Sequence, residues 1–193
     1  MAAVPVEIVR SALRERLSGF VTKEIGDYLT VTVQGLERGL PRGAATEISG
    51  EPCSGRTSLL HSILAVATRQ GEYCALVDAS DSFDPVSATE AGILLPQLLW
   101  VRCSGNALHA LKATDLLAYA GGFGVVVFDL GDIPAAVARR ISLTSWFRLR
   151  RAVEHSPTVL IVITRERQLR QCASLVVELV VERSTSYVRM HYR

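Results

Sequence analysis

The sequence predicts an α/β fold with a mainly parallel sheet flanked by helices, and three observations carry that prediction. Apolar runs of strand length alternate with helix-length amphipathic segments, the pattern of strands joined by helical crossovers. Two of the runs, Val125–Phe128 and Val159–Ile163, are continuously apolar, as strands covered on both faces are. A glycine-rich turn, Gly50-Glu-Pro-Cys-Ser-Gly-Arg-Thr-Ser58, joins a short strand to the first long helix.

Taken in order, residues 5–17 place Val6, Val9, Leu13 and Leu17 at the spacing of one helix face, and Gly19 offers a stop. A helix this short has to dock on something. Residues 1–34 are therefore expected to be an N-terminal helix and extended segment that can serve as a partner-docking arm. Folding back onto its own sheet is the equal alternative. Residues 28–33 alternate as an edge strand does. Residues 35–43 are turn-rich and lead into a strand over 45–49, the loop, and a helix over 59–67. A second strand over 73–78 ends in a loop, followed by a short helix at 87–91 that Gly92 ends. The third strand covers 98–102. Asn106 or Gly105 caps a helix through Leu117 that Gly121-Gly122 stops. The fourth strand ends at Asp129, a helix covers 144–153, and the fifth strand covers 158–163. Residues 175–181 and 187–191 read as a closing strand pair. Residues 35–193 then form the core.

Composition narrows the function classes. The chain has 193 residues, 49% of them hydrophobic, and its mean hydropathy is +0.26. No run approaches the roughly 18–20 apolar residues of a membrane span. No basic stretch followed by a long apolar one opens the chain, so no secretory signal is expected and a cytoplasmic location is. Cys53, Cys74, Cys103 and Cys172 lack metal-ligand spacing and read as buried thiols. His61, His109, His155 and His191 are equally scattered, and no metal site is expected. The net charge of +2 is uneven: residues 130–193 hold 11 Arg against 5 Asp and Glu. That excess makes Arg139, Arg140, Arg148, Arg150, Arg151, Arg165, Arg167 and Arg170 candidates for a basic patch facing a protein partner or DNA. No repeated aromatic interleaving accompanies them, as base stacking would require. On the helix over 144–153, Trp146, Leu149 and Val153 should face the core, with Arg148 and Arg151 outward.

The turn is where the chemistry concentrates. In the template G-x-x-x-x-G-K-[ST] the glycines let backbone N–H groups wrap a phosphate, the Lys reaches the terminal phosphates and the hydroxyl holds Mg²⁺. Gly50, Gly55 and Thr57 match, Glu51, Pro52, Cys53, Ser54 and Ser58 complete the loop, and Arg56 stands where the Lys belongs. Asp129 closes an apolar run, as the Mg²⁺ carboxylate of a nucleotide-binding sheet does, on a strand expected to lie beside the loop strand.

The segment Leu40-Pro-Arg-Gly-Ala-Ala-Thr-Glu-Ile-Ser-Gly-Glu-Pro-Cys-Ser-Gly-Arg-Thr-Ser58, followed by Val77-Asp-Ala-Ser-Asp-Ser-Phe-Asp-Pro85, Phe128-Asp129 and Leu160-Ile-Val-Ile163, resembles the core of the RecA recombinase family over roughly residues 35–182. The likeness is strongest to the short ImuA-type proteins of bacterial mutagenic translesion-synthesis cassettes. It rests on the "GLPRG.xTE" entry, Gly122-Phe-Gly-Val-Val-Val-Phe-Asp-Leu-Gly-Asp132 and Leu143-Thr-Ser-Trp-Phe-Arg-Leu-Arg-Arg151. The resemblance implies a RecA-like core, and it implies three departures. Arg56 replaces the loop Lys, Ser80 replaces the Glu that activates water, and Arg165 replaces the Gln that senses the γ-phosphate. Arginine keeps the charge without the compact ammonium, and a Ser cannot act as that base. The loops after Asp129 and after the fifth strand are shorter than the recombinase's DNA-binding loops. These departures lean against an enzyme and toward an accessory protein that requires no cofactor, binds DNA weakly or indirectly and can self-associate. It would link RecA to an ImuB-like polymerase-family adaptor in the response to DNA damage. The alternatives are a weak DNA-dependent ATPase rescued by Asp81 or Asp129, or a nucleotide-gated module that holds ATP and Mg²⁺ without hydrolysis.

Overall fold

The computed structural model describes residues 27–31, 33, 36–182 and 185–192. The helix expected around Val6, Val9, Leu13 and Leu17 lies outside the described residues. Strands β1 (Tyr28–Leu29) and β2 (Leu40–Pro41) pair antiparallel with each other. Residues 28–33 were expected to form an edge strand, but only Tyr28–Leu29 does so, and it pairs off the main sheet. Leu29, Val31, Leu36 and Leu40 are buried against the same core as the main sheet.

The rest alternates: β3 (Ala44–Gly50), α1 (Arg56–Arg69), β4 (Cys74–Asp78), α2 (Pro85–Glu90), β5 (Leu98–Arg102), α3 (Ala107–Ala120), β6 (Val125–Asp129), α4 (Ala135–Ala138), α5 (Leu143–Val153), β7 (Val159–Thr164), β8 (Leu175–Glu182) and β9 (Thr185–Tyr192). The sheet order is β5-β4-β6-β7-β3-β8-β9, parallel throughout except for the antiparallel β8–β9 pair. This is the expected α/β fold with its closing pair. Among the described residues, no helix is long and apolar enough to cross a membrane.

Side chains alternate across each strand, so the central strands feed two cores. Val126, Phe128, Leu160 and Val162 pack under α3 and α5, where Trp146, Leu149 and Val153 are buried as expected. Val125, Val127, Ile161 and Ile163 pack on the other face with Leu59, Leu60, Ile63 and Leu64 of α1. The caps are local. Asn106 Oδ1 accepts from the N–H of Leu108 and His109, and Ser142 Oγ accepts from Ser145 N–H. Helix α1 starts at Arg56, three residues before the expected start, because Gly55 takes φ 95° as its N-cap. Only glycine adopts that angle readily.

The strand bearing Asp129 is not the neighbour of the loop strand. β7 lies between them, pairing with β3 on one side and β6 on the other. Local patterning reports which runs are strands but not their lateral order. Because these strands are parallel, the carboxyl ends of β3, β7, β6 and β4 share one rim.

Two buried carboxylates shape that rim. Asp78, at the end of β4, accepts from the N–H of Ser80, Ser82 and Phe83 and from Trp100 Nε1, which folds the 79–84 segment back over the strand. Glu47 of β3 is fully buried and accepts from Thr164 Oγ1 and from the N–H groups of Gln168 and Leu169. Burial pushes its carboxyl above the ordinary range, against those hydrogen bonds. Glu47 thereby ties down the 165–174 connection, which is short, as expected.

Removing the Glu47 carboxylate leaves buried N–H groups without an acceptor, and each such group costs about 1–3 kcal/mol. Glu47→Ala should therefore destabilise the fold by roughly 3 kcal/mol, lowering Tm by about 6–12 °C for a chain of this size. Differential scanning fluorimetry checks this; a Tm within a degree or two of the parent would show that the 165–174 connection holds without it.

Candidate functional site: a closed phosphate loop

The loop folds as its glycines require. A Cβ on Gly50 would meet Ser54 Oγ at 2.5 Å and Leu179 O at 2.8 Å, so only a bare backbone fits there. Ser54 N–H closes a turn on Glu51 O at 3.1 Å, and Cys53 sits at φ 62°. Cys53 is exposed at this turn, a correction to its expected burial, while Cys74, Cys103 and Cys172 are buried. Helix α1 begins with no side-chain cap and no acidic residue in its first turn. Such an end presents bare N–H groups and the positive end of the helix dipole.

Arg56 is the first residue of that helix. Its side chain is buried and crosses to the far strands, with Nη1 3.4 Å from Thr164 O at the end of β7 and Nη2 3.6 Å from Asp132 Oδ1 beyond β6. A Cβ placed on Gly131 would lie 2.5 Å from Arg56 Nη1, so the guanidinium presses against the 129–132 turn. The remaining cavity measures about 70 Å³ and is lined by Arg56, Thr57, His61, Phe83, Asp129 and Asp132, among others. Pockets for small molecules run to about 300–1,000 Å³.

Asp129 faces this cavity. Its carboxyl is pushed up to about 6, chiefly by burial and further by the negative Asp78 and Asp132, while the Gly131 N–H at 2.8 Å and Arg56 pull it down. His61 is buried with Nε2 unpartnered and its ring edge-on to Phe83 at 5.9 Å. Burial holds its imidazole below the ordinary value. Phe83 in turn packs edge-on against Trp100 at 5.2 Å. Phe83 and Asp132 escaped the sequence reading, which took His61 only as one of four scattered histidines. The three belong to separate segments, and no local spacing points them at one cavity.

The other expected residues disperse. Ser80 bonds to Asp78 and Ser82 and does not line the cavity. Asp81 is bound by the N–H groups of Cys103 and Ser104, by Ser104 Oγ and by Arg102. Those bonds, led by the Ser104 N–H, hold its carboxyl below the usual range. Asp81 does not line the cavity that Asp129 faces. Arg165 lines a separate groove on the β8 side of the loop, with Gly50, Glu51, Pro52 and Cys53. Gly55, Thr57 and Ser58 are exposed at the start of α1. The basic set splits as well. Arg139 pairs with Glu166 and lies with Arg140 after α4, Arg167 and Arg170 lie in the β7–β8 connection, and Arg148, Arg150 and Arg151 lie on α5.

The profile of the RecA N-terminal domain matches residues 22–144. The chain belongs to the RecA family. Protein RecA of Ectopseudomonas oleovorans is 32% identical over 145 residues, which cover 67% of this chain and 41% of that protein. The chain thus spans less than half the length of this RecA relative.

For a RecA-family nucleotide site, Mg·ATP is the ligand to test for fit. Thr57 and Asp129 both face the cavity, as an Mg²⁺ pair would. The guanidinium of Arg56, near Thr164 O and Asp132, lines this same cavity, which measures about 70 Å³.

Asp129 gives this geometry a pH signature. The folded carboxyl keeps its proton to about pH 6, whereas an unfolded aspartate releases it near pH 4. The folded chain therefore binds more protons between those values, and stability falls as pH rises through that window. Chemical denaturation of the parent and Asp129→Asn across about pH 4–7 checks the sign. The stability of the parent relative to the variant should fall as pH rises, and a flat or rising difference contradicts the burial of Asp129.

Proposed function

We propose that this RecA-family chain is a non-catalytic accessory protein of DNA-damage-induced mutagenic translesion synthesis, linking RecA to an ImuB-like polymerase-family adaptor. The observation that carries the reading is the seat of Arg56: a protein cation bonded to Thr164 and Asp132 stands where transferred phosphoryl groups would be held. Ser80 is folded onto Asp78 and Arg165 lines the separate groove beside the loop, so neither residue at the positions of the family's water-activating Glu and sensing Gln lines the cavity. The short connections after β6 and β7 give little mobile chain for DNA, so DNA contact is weak or passes through the partners. The assignment to the ImuA type rests on the resemblance of the loop entry, the 122–132 segment and the 143–151 helix. On this reading the protein works in the cytoplasm and requires no cofactor.

An ATPase reading would have to recruit Asp81 or Asp129, and the first is saturated by its own loop contacts. A nucleotide-holding module predicts a Tm rise with Mg·ATP through mass action. The accessory reading predicts no rise and no multiple-turnover phosphate release with single-stranded DNA present. Arg56→Lys, which restores the compact ammonium, should introduce a Tm rise with Mg·ATP. Purified protein should also retain RecA and the adaptor in a pull-down. Phosphate release abolished by Arg56→Ala would establish the enzyme, and failure to retain either protein would sink the linking role.

A further inference from the structure

The face formed by α3 and α5 carries a second feature. Helices α3 and α5 lie side by side over one core, joined at the surface by the ion pair between Asp115 Oδ1 and Arg148 Nε at 2.9 Å. The outward stripe of α3 runs Leu108, Lys112, Asp115, Tyr119, the i, i+4, i+7, i+11 spacing of one face. Its two ends are apolar, Leu108 at 59% exposure and Tyr119 at 37%. Leu143 and Phe147 of α5 add two more exposed anchors, at 47% and 42%. Two hollows accompany the stripe. One of about 390 Å³ is lined by Asn106, Leu108, Val137, Arg140 and Ile141. The other, about 540 Å³, is lined by Tyr119, Thr144, Phe147, Arg148, Arg150 and Arg151. Eleven residues at 1.5 Å each put Leu108 and Tyr119 about 16 Å apart, three turns of a facing helix.

We propose that this α3–α5 face docks an acidic amphipathic helix of a partner protein, with apolar anchors seated at the Leu108 and the Tyr119–Phe147 hollows. Charge decides the occupant. The two stripes and the hollows carry Lys112, Arg140, Arg148, Arg150 and Arg151 against Asp115 and Glu154, and Arg148 is already paired. Carboxylates on the partner would meet the remaining cations, while its apolar side chains cover Leu108, Leu143 and Phe147. A nucleic acid fits worse, since a phosphate backbone laid here would meet Asp115, Glu154 and exposed leucines. The chain's own N-terminal apolar segment fits worse too, since residues 5–17 hold Arg10, Arg14 and Arg16 against Glu7 and Glu15. The groove containing Arg165 and Arg167 carries Glu51, Glu166 and Glu178 as well, and its mixed charge selects no partner.

The test uses the full chain, isotope-labelled for NMR, and a synthetic amphipathic peptide with leucines on one helical face and glutamates on the other. Binding should shift resonances of residues 107–120 and 143–154. It should weaken about tenfold or more in Phe147→Ser and in Arg151→Glu, both surface changes whose folding is verified by unchanged thermal unfolding. A matched peptide with lysines for glutamates should not bind there. Absence of binding, shifts elsewhere, equal binding of the lysine peptide, or tighter occupation of the same residues by a single-stranded oligonucleotide would each overturn the proposal. Peptide binding does not depend on whether RecA or the adaptor is retained, so the accessory role can fail while the docking face stands.

Discussion

The guanidinium of Arg56 is the interaction around which the upper rim of the sheet is arranged. It leaves the first turn of α1 and reaches Thr164 O at the end of β7 and Asp132 beyond β6. In doing so it joins three segments that are adjacent only because β7 is inserted between β3 and β6. An ammonium of a lysine would stop nearer the loop as a compact charge. The longer, planar fork spans the gap and can engage two acceptors at once.

The neighbouring charges are consistent with that role. Asp129 and Asp132 line the cavity with Arg56, and burial keeps the Asp129 proton toward neutrality. Asp78 and Glu47, which a sequence search would score as candidate acids, are saturated by backbone N–H groups. They hold the 79–84 and 165–174 segments in place. The carboxylates Asp78 and Glu47 thus fix loop geometry, while Arg148, Arg150 and Arg151 lie on α5, outside the cavity lining.

Much of the fold was legible because parallel strands buried on both faces leave continuous apolar runs, such as Val125–Phe128, that few other structures require. The caps at Asn106 and the inward stripe of Trp146, Leu149 and Val153 were legible for the same local reason. Lateral order was not: Asp129 was expected beside the loop strand, and no residue near it encodes the intervening β7. Helix α4, four residues long, is too short to show a period. At the site, the substitution at Arg56 was visible at once, but its partners were not, since Thr164 lies 108 residues further along the chain. Asp81, named as a base only in the ATPase alternative, accepts from the N–H groups of residues 103 and 104, a bonding pattern that leaves no trace in sequence.

The account stands on Arg56 being a fixed part of the fold, and its guanidinium can be observed directly. Arginine side-chain NMR on the purified protein, with and without saturating Mg·ATP, reads the exchange and chemical shift of that group against an Arg56→Lys assignment control. A guanidinium held by Thr164 and Asp132 gives a slowly exchanging resonance that Mg·ATP leaves unmoved. A fast-exchanging resonance, or one that shifts as nucleotide is added, would show an open loop and contradict the account.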